Sequence, residues 1–329
     1  MLAALAVGCA KLPQDIGVTF LHPATLVDLQ RDVLARKPDF ELFRPRGPYA
    51  TTTHKDLEIA ISPAEHIAAD LYSPVLSEKA PLVVFLHGLE SSKEAHAYQA
   101  VHVATWGMYA LSVQLPNTGP WTVNGRTLAH LVEAIHRKPE LVARNIDVDR
   151  IILIGHSFGA SSVAMAIAQG APAVGAILLD AAGIGRDLPA SLRQIRKPVL
   201  LLGADEEATN TRNRDYFHRY IPSAFSELSI RGAAHEDGQY PSEASLHAPG
   251  LDSYTTEEMQ ITFVNALTAA AFSLWATGGF DYAWESYRGA FDSGKFFNAI
   301  KKTGGSAALQ QSIPRRRGTG VNVEPREHR

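Results

Sequence analysis

The pattern with the most chemical content is Gly155-His156-Ser157-Phe158-Gly159, a serine with a glycine two positions away on either side. A serine hydroxyl is a poor nucleophile at neutral pH. It attacks a carbonyl only when a base within hydrogen-bond reach takes its proton and a third group orients that base. Glycines at 155 and 159 lack a Cβ, so the chain can turn sharply at Ser157 while the segments on either side pass close together. Two histidines could be the base: His235, at the end of Leu228-Ser229-Ile230-Arg231-Gly232-Ala233-Ala234, and His247, in a stretch with Pro249 and Gly250. The acid candidates are Asp180, directly after Ile177-Leu178-Leu179, and the trio Asp205, Glu206 and Glu207 after Gly203-Ala204. Attack on an ester also creates an oxyanion that needs donors already in place, and losing one such donor costs about 10²–10³ in rate.

These residues need a scaffold, and the flanking sequence predicts one. Ile151-Ile152-Leu153-Ile154 is a run of four apolar residues, three of them β-branched, which reads as a strand buried on both faces of a parallel sheet. The Ala-, Met- and Ser-rich stretch from Ala160 to Ala166 reads as a tightly packed helix. Further buried strands are expected at 81–86, ending in His87-Gly88-Leu89, and at 109–115, 174–179, 199–202 and 228–230. Helical patterns separate most of them (93–106, 126–136), so the sheet should be mainly parallel with helices on both faces. Leu57, Ile59 and Ile61 alternate as an antiparallel first strand, with 67–72 as its hairpin partner. A helix is expected over 24–36, a linker over 43–49 where Pro45, Gly47 and Pro48 cluster, and a long apolar helix over 256–275. An aromatic-rich helix containing Trp284, Tyr287, Phe291, Phe296 and Phe297 should follow and offer a packing face.

Strand, sharp turn and helix around a central serine resemble the nucleophile elbow of the α/β-hydrolases. The resemblance implies the α/β-hydrolase fold and the chain order serine, acid, histidine. That order favours His235 as base and leaves His156 as a packing neighbour of the nucleophile. Asp180 is preferred as acid because it is the lone charge at its strand end, with Asp205, Glu206 and Glu207 left open. The oxyanion donors implied are the backbone N–H of Phe158, at a helix N-terminus, and the N–H of Leu89. His87 is expected to shape that second loop. Leu89, Trp121 and the region of Asn117 are expected as substrate-pocket walls.

From 81 to 238 the chain is also similar to the platelet-activating-factor acetylhydrolase and cutinase-like polyester hydrolase branch. The matching residues are His87-Gly88-Leu89, Gly155-His156-Ser157-Phe158-Gly159-Ala160, Leu178-Leu179-Asp180 and Ile230-Arg231-Gly232-Ala233-Ala234-His235. The acetylhydrolases place their acid at the strand end that Asp180 occupies. Cutinase-like enzymes carry it in the next loop, which would make Glu207 the candidate. The implied activity is a serine carboxylic-ester hydrolase, esterase- or lipase-like, acting on a small-molecule or lipid-like ester. A peptidase or amidase on the same triad, or a catalytically inactive hydrolase-fold binding protein, are the competing readings. Dehalogenases and epoxide hydrolases are disfavoured because their elbow nucleophile is an aspartate.

Composition narrows the remainder. The chain has 329 residues, 46% hydrophobic and 20% charged, which suits one large α/β domain with extensions. A formal net charge of −3 disfavours nucleic acid as partner. No metal-ligand spacing such as His-Glu-x-x-His and no glycine-rich phosphate loop stands out, so no cofactor or metal is expected. The single cysteine, Cys9, excludes an intrachain disulfide. It ends the apolar run Leu2-Ala3-Ala4-Leu5-Ala6-Val7-Gly8, which resembles the end of a bacterial lipoprotein signal. Membrane association through lipidated Cys9, with export, is one expectation; without such a signal the expectation is cytoplasmic. The expected organisation is a signal-like stretch over 1–23, a helix and linker over 24–50, the hydrolase domain over 51–303, and a disordered tail over 304–329 around Arg315-Arg316-Arg317.

Overall fold

The computed structural model describes residues 23–183, 186–205, 214–241, 256–302 and 310–312. Cys9, Glu206, Glu207, His247 and the Arg315-Arg316-Arg317 cluster lie outside the described residues.

Helix α1 (Leu26–Leu34) starts where the Thr25 side chain accepts the Asp28 N–H, and it buries Leu26, Leu29 and Val33 along one stripe. The expected linker turns out to be packed. Phe43 ends a short 3-10 turn and is fully buried, its ring 4.6 Å from that of Trp106 and 5.4 Å from that of Phe272. Proline and glycine mark the irregular backbone there, but the burial comes from the aromatic beside them.

Strands β1 (Thr51–Ser62) and β2 (Glu65–Pro74) form the expected antiparallel hairpin, and β2 runs antiparallel to β4 (Tyr109–Val113). The next strands in sequence are β3 (Ala80–Leu86), β5 (Ile146–His156), β6 (Gly175–Leu179), β7 (Val199–Gly203) and β8 (Phe225–Ile230). In space β4, β3, β5, β6, β7 and β8 lie side by side, all parallel. Every residue of β3, β6 and β7 is buried, as unbroken apolar runs require in a sheet covered on both faces.

The covering helices are α2 (Ala97–Thr105), α3 (Trp121–Arg137), α4 (Phe158–Ala168), α5 (Leu188–Leu192), α6 (Arg214–Tyr220) and α7 (Glu257–Thr277). Helix α4 packs against α3 and α5 on one face, and α7 meets α2 on the other. Length and composition would let α7 cross a membrane, yet 89% of its apolar window is buried inside the protein, so here it is a core helix.

Two expectations near the C-terminus are corrected. The aromatic segment is not one helix: α8 (Asp281–Ser286) and α9 (Arg288–Asp292) are short, and Phe296 and Phe297 belong to strand β9 (Phe296–Lys302). Gly294, at φ +78°, breaks the helical run, and β9 then pairs antiparallel with β8. Gln310–Ser312 lie within the expected disordered tail but form β10, paired antiparallel with β9.

Candidate active site

Because β3, β5, β6, β7 and β8 are parallel neighbours, the residues after their carboxyl ends share one edge of the sheet. Gly88-Leu89 follows β3, Ser157 follows β5, Asp180 follows β6, Asp205 follows β7 and His235 follows β8. Residues far apart in sequence thus converge on one edge through the order of the strands.

Ser157 sits between β5 and α4 at φ +55°, ψ −124°, a conformation that side-chain-bearing residues rarely adopt. Its backbone is held on both sides: its N–H donates to Leu179 O at 3.0 Å and its carbonyl accepts from Ala182 N–H at 3.1 Å. Three of the five described non-glycine residues with positive φ lie at this edge: Glu90, Ser157 and Asp180. Such strain, about 1–3 kcal/mol per residue, persists where surrounding structure over-determines it, and it clusters at sites where geometry matters more than stability. Close approach explains the glycines. A Cβ on Gly159 would collide with the His87 carbonyl oxygen, and one on Gly88 would sit 2.8 Å from Ser157 Cβ.

Of the two candidate acids among the described residues, Asp180 is the one that meets the histidine. Its Oδ2 lies 2.6 Å from His235 Nδ1, while Oδ1 accepts the Ala204 N–H at 2.8 Å. Both side chains are nearly buried, the aspartate at 4% and the histidine at 11% exposure, so the contact is little screened by water. Asp205 is engaged elsewhere, its Oδ2 accepting the Gly232 N–H at 2.6 Å and its N–H donating to Ala233 O at 2.8 Å. It braces the segment leading to His235.

His156 packs, as expected, but against the base itself. The two imidazole centroids are 4.5 Å apart, and His156 Nε2–H donates to the His235 carbonyl at 2.9 Å. Burial, then the neighbouring His235, holds His156 well below the usual histidine range, so it stays neutral. His87 is fully buried and likewise lowered by burial. Its Nδ1–H donates to Gly88 O at 2.9 Å, and Nε2 accepts from the Gln114 side-chain amide at 2.9 Å. It therefore shapes the turn before Leu89.

Trp121 opens α3 and is buried, its ring 5.3 Å from that of Phe158, whereas Leu89 is 46% exposed. Among the described residues, no group of three or more histidine, cysteine, aspartate or glutamate side chains is placed to hold a metal ion. Several polar residues at this edge gave no sequence signal. Asp237 is fully buried and accepts N–H bonds from Ala234 (2.7 Å) and Thr256 (3.1 Å), tying the His235 turn to the start of α7. Burial pushes its carboxyl up to about 6. Ser91, Asn117 and Gln239 likewise form cross-loop bonds that no periodicity foreshadows.

A search of curated proteins returns no match for this chain. A family model described as the alpha/beta hydrolase family matches residues 83–293, from within β3 to just beyond α9, and so takes in every residue of the edge described above. The chain belongs to the alpha/beta hydrolase family, whose membership supports hydrolysis as its activity.

Proposed function

We propose that the chain is a serine carboxylic-ester hydrolase that works through an acyl-enzyme on Ser157. The observation that carries this reading is the buried 2.6 Å contact between His235 Nδ1 and Asp180 Oδ2 on the strand edge that bears the strained serine. In this scheme Asp180 keeps the Nδ1 proton on His235, so Nε2 is the unprotonated nitrogen that takes the Ser157 proton during attack on the ester carbonyl. The Leu89 and Phe158 N–H groups receive the developing oxyanion; Phe158 is the first residue of α4, where the N–H has no intrahelical acceptor and the helix dipole adds positive potential. His235 then protonates the leaving alcohol, and water repeats the sequence to release the acid.

The pairing of Trp121 with Phe158 supports an apolar wall beside the nucleophile, suited to a small or lipid-like ester. The acid at the end of β6 is the placement that the resemblance assigns to the platelet-activating-factor acetylhydrolases, which favours that branch over the cutinase-like one.

The test is peptide-mapped labelling with a fluorophosphonate, which reacts only with an activated serine, followed by a series of p-nitrophenyl esters. Stoichiometric modification of Ser157, abolished by His235→Ala, is the expected result. A folded protein that does not label would overturn the reading and leave a hydrolase-fold binding protein in its place.

A further inference from the structure

The loop after β3, which carries the proposed Leu89 donor, and the turn after β8, which carries His235, come from strands separated in the sheet by β5, β6 and β7. Backbone pairing in the sheet does not join their tips. A buried side-chain bond does: Ser91 Oγ–H donates to Gln239 Oε1 at 2.6 Å, across 148 residues of sequence. Both residues are buried, at 6% and 4% exposure.

Each end is fastened in turn. On the donor loop, the Asn117 side-chain amide donates to Ser91 O at 3.1 Å, and Asn117 O accepts the Glu90 N–H at 2.8 Å. Glu90, between Leu89 and Ser91, is held at φ +52°. On the base turn, Gln239 Nε2–H donates to Glu236 Oε2 at 3.0 Å, and its backbone N–H donates to Glu236 O at 3.1 Å. The Gln99 side chain donates to Gly238 O at 3.0 Å, and Tyr240 N–H donates to Ala95 O at 2.8 Å. Buried polar groups are costly unless satisfied, so a serine and a glutamine placed between two irregular loops favour a single geometry for both.

We infer that Ser91 and Gln239 are positioning residues: their hydrogen bond sets the loop carrying the Leu89 N–H relative to the turn carrying His235, so that the donor meets the oxygen of the same carbonyl that Ser157, deprotonated by His235, attacks. The inference rests on the proposed esterase reading. Reacting groups need placement to within a fraction of an ångström; the Tyr240–Ala95 and Gln99–Gly238 bonds hold the segments farther along, and the Ser91–Gln239 bond links them two residues from Leu89.

The experiment compares wild type, Ser91→Ala, Ser91→Thr, Gln239→Met and the double variant Ser91→Ala/Gln239→Met. It reads kcat and KM on a p-nitrophenyl ester, inhibition by an alkyl boronic acid that mimics the tetrahedral intermediate, and Tm. Ser91→Ala is expected to lower kcat about tenfold, a fraction of the 10²–10³ for outright loss of a donor. Boronate affinity should fall in step and KM should stay within about twofold, as for an interaction made only in the transition state. Ser91→Thr keeps the hydroxyl and should restore most of kcat. The double variant should be no worse than the poorer single variant, because both single variants already remove the shared Ser91–Gln239 bond, and Gln239→Met also removes the bond to Glu236. A folded Ser91→Ala enzyme with unchanged kcat and boronate affinity, or one lowered only in Tm, overturns the inference. If Ser91→Ala does not fold, Gln239→Met decides by the same criteria. Wild-type protein that does not label at Ser157 overturns the esterase reading itself, and with it this inference; equal rates of labelling and equal kcat in wild type and both single variants overturn the inference alone.

Discussion

Replacing Asp180 by asparagine changes one atom and removes one charge, yet the structure gives it two separate penalties. Among the described residues the carboxylate accepts at both oxygens, Oδ1 taking the Ala204 N–H and Oδ2 taking His235 Nδ1–H. An amide has one acceptor oxygen. If that oxygen stays on Ala204, the NH2 group faces His235 and forces Nδ1 to be the unprotonated nitrogen. Nε2 then carries the proton, and the imidazole cannot receive one from Ser157. If the amide flips, the histidine tautomer is right but the NH2 group opposes the Ala204 N–H in a buried position, at about 1–3 kcal/mol. Either orientation also loses the carboxylate that stabilises the imidazolium, about 4 kcal/mol for charges some 4 Å apart at an effective permittivity near 20. Together these terms correspond to a fall in kcat of about 10⁴ at 1.4 kcal/mol per decade. The assay is steady-state hydrolysis of p-nitrophenyl butyrate by wild type, Asp180→Asn and Asp205→Asn, with circular dichroism to establish folding. Asp205→Asn loosens the brace on Gly232 without touching the tautomer, and should cost no more than about tenfold. A folded Asp180→Asn enzyme within about tenfold of wild type would refute the reasoning, and a larger loss at Asp205→Asn would move the acid to the end of β7.

Two further outcomes follow from packing and titration. Gly159→Ala places a methyl group against the His87 and Leu86 carbonyl oxygens, both backbone atoms that cannot swing aside; it should destabilise the fold by about 1–3 kcal/mol in urea titration, and an unchanged midpoint would contradict the close approach of β3 and α4. Burial raises the Asp237 carboxyl from 3.8 to about 6, so between those values the folded state binds the proton more tightly than the unfolded one. Its contribution to stability is therefore fully present below about pH 4 and is lost as pH rises through 6. Urea-unfolding free energies should show wild type losing ground to Asp237→Asn between about pH 4 and 6 and running parallel to it above that range; a constant difference throughout would refute the assignment.

The sequence alone determined those features that short-range physics dictates. Unbroken apolar runs made the parallel strands legible, and the Gly155/Gly159 frame marked Ser157, because a sharp strand-to-helix turn needs two glycines at that spacing. Asp180 and His235 could be placed at strand ends, since a charge or an imidazole just beyond a buried run belongs at the edge of the sheet. Helix and strand could not be told apart around Phe296, where aromatics recur at a spacing compatible with α9 continuing; pairing with β8 decided for the strand, and that partner lies far back in the sequence. The same limit hid the packing of Phe43, which depends on Trp106 and Phe272. Asp180, the lone charge at its strand end, is preferred over Asp205 on sequence, but which side chain reaches the histidine is decided by the fold, where Asp180 meets His235 and Asp205 meets Gly232. The Ser91–Gln239 bond and the buried carboxyl of Asp237 left no trace in periodicity. Isolated polar residues in loops carry no repeating pattern, and their partners are selected by which strand ends the sheet order brings together.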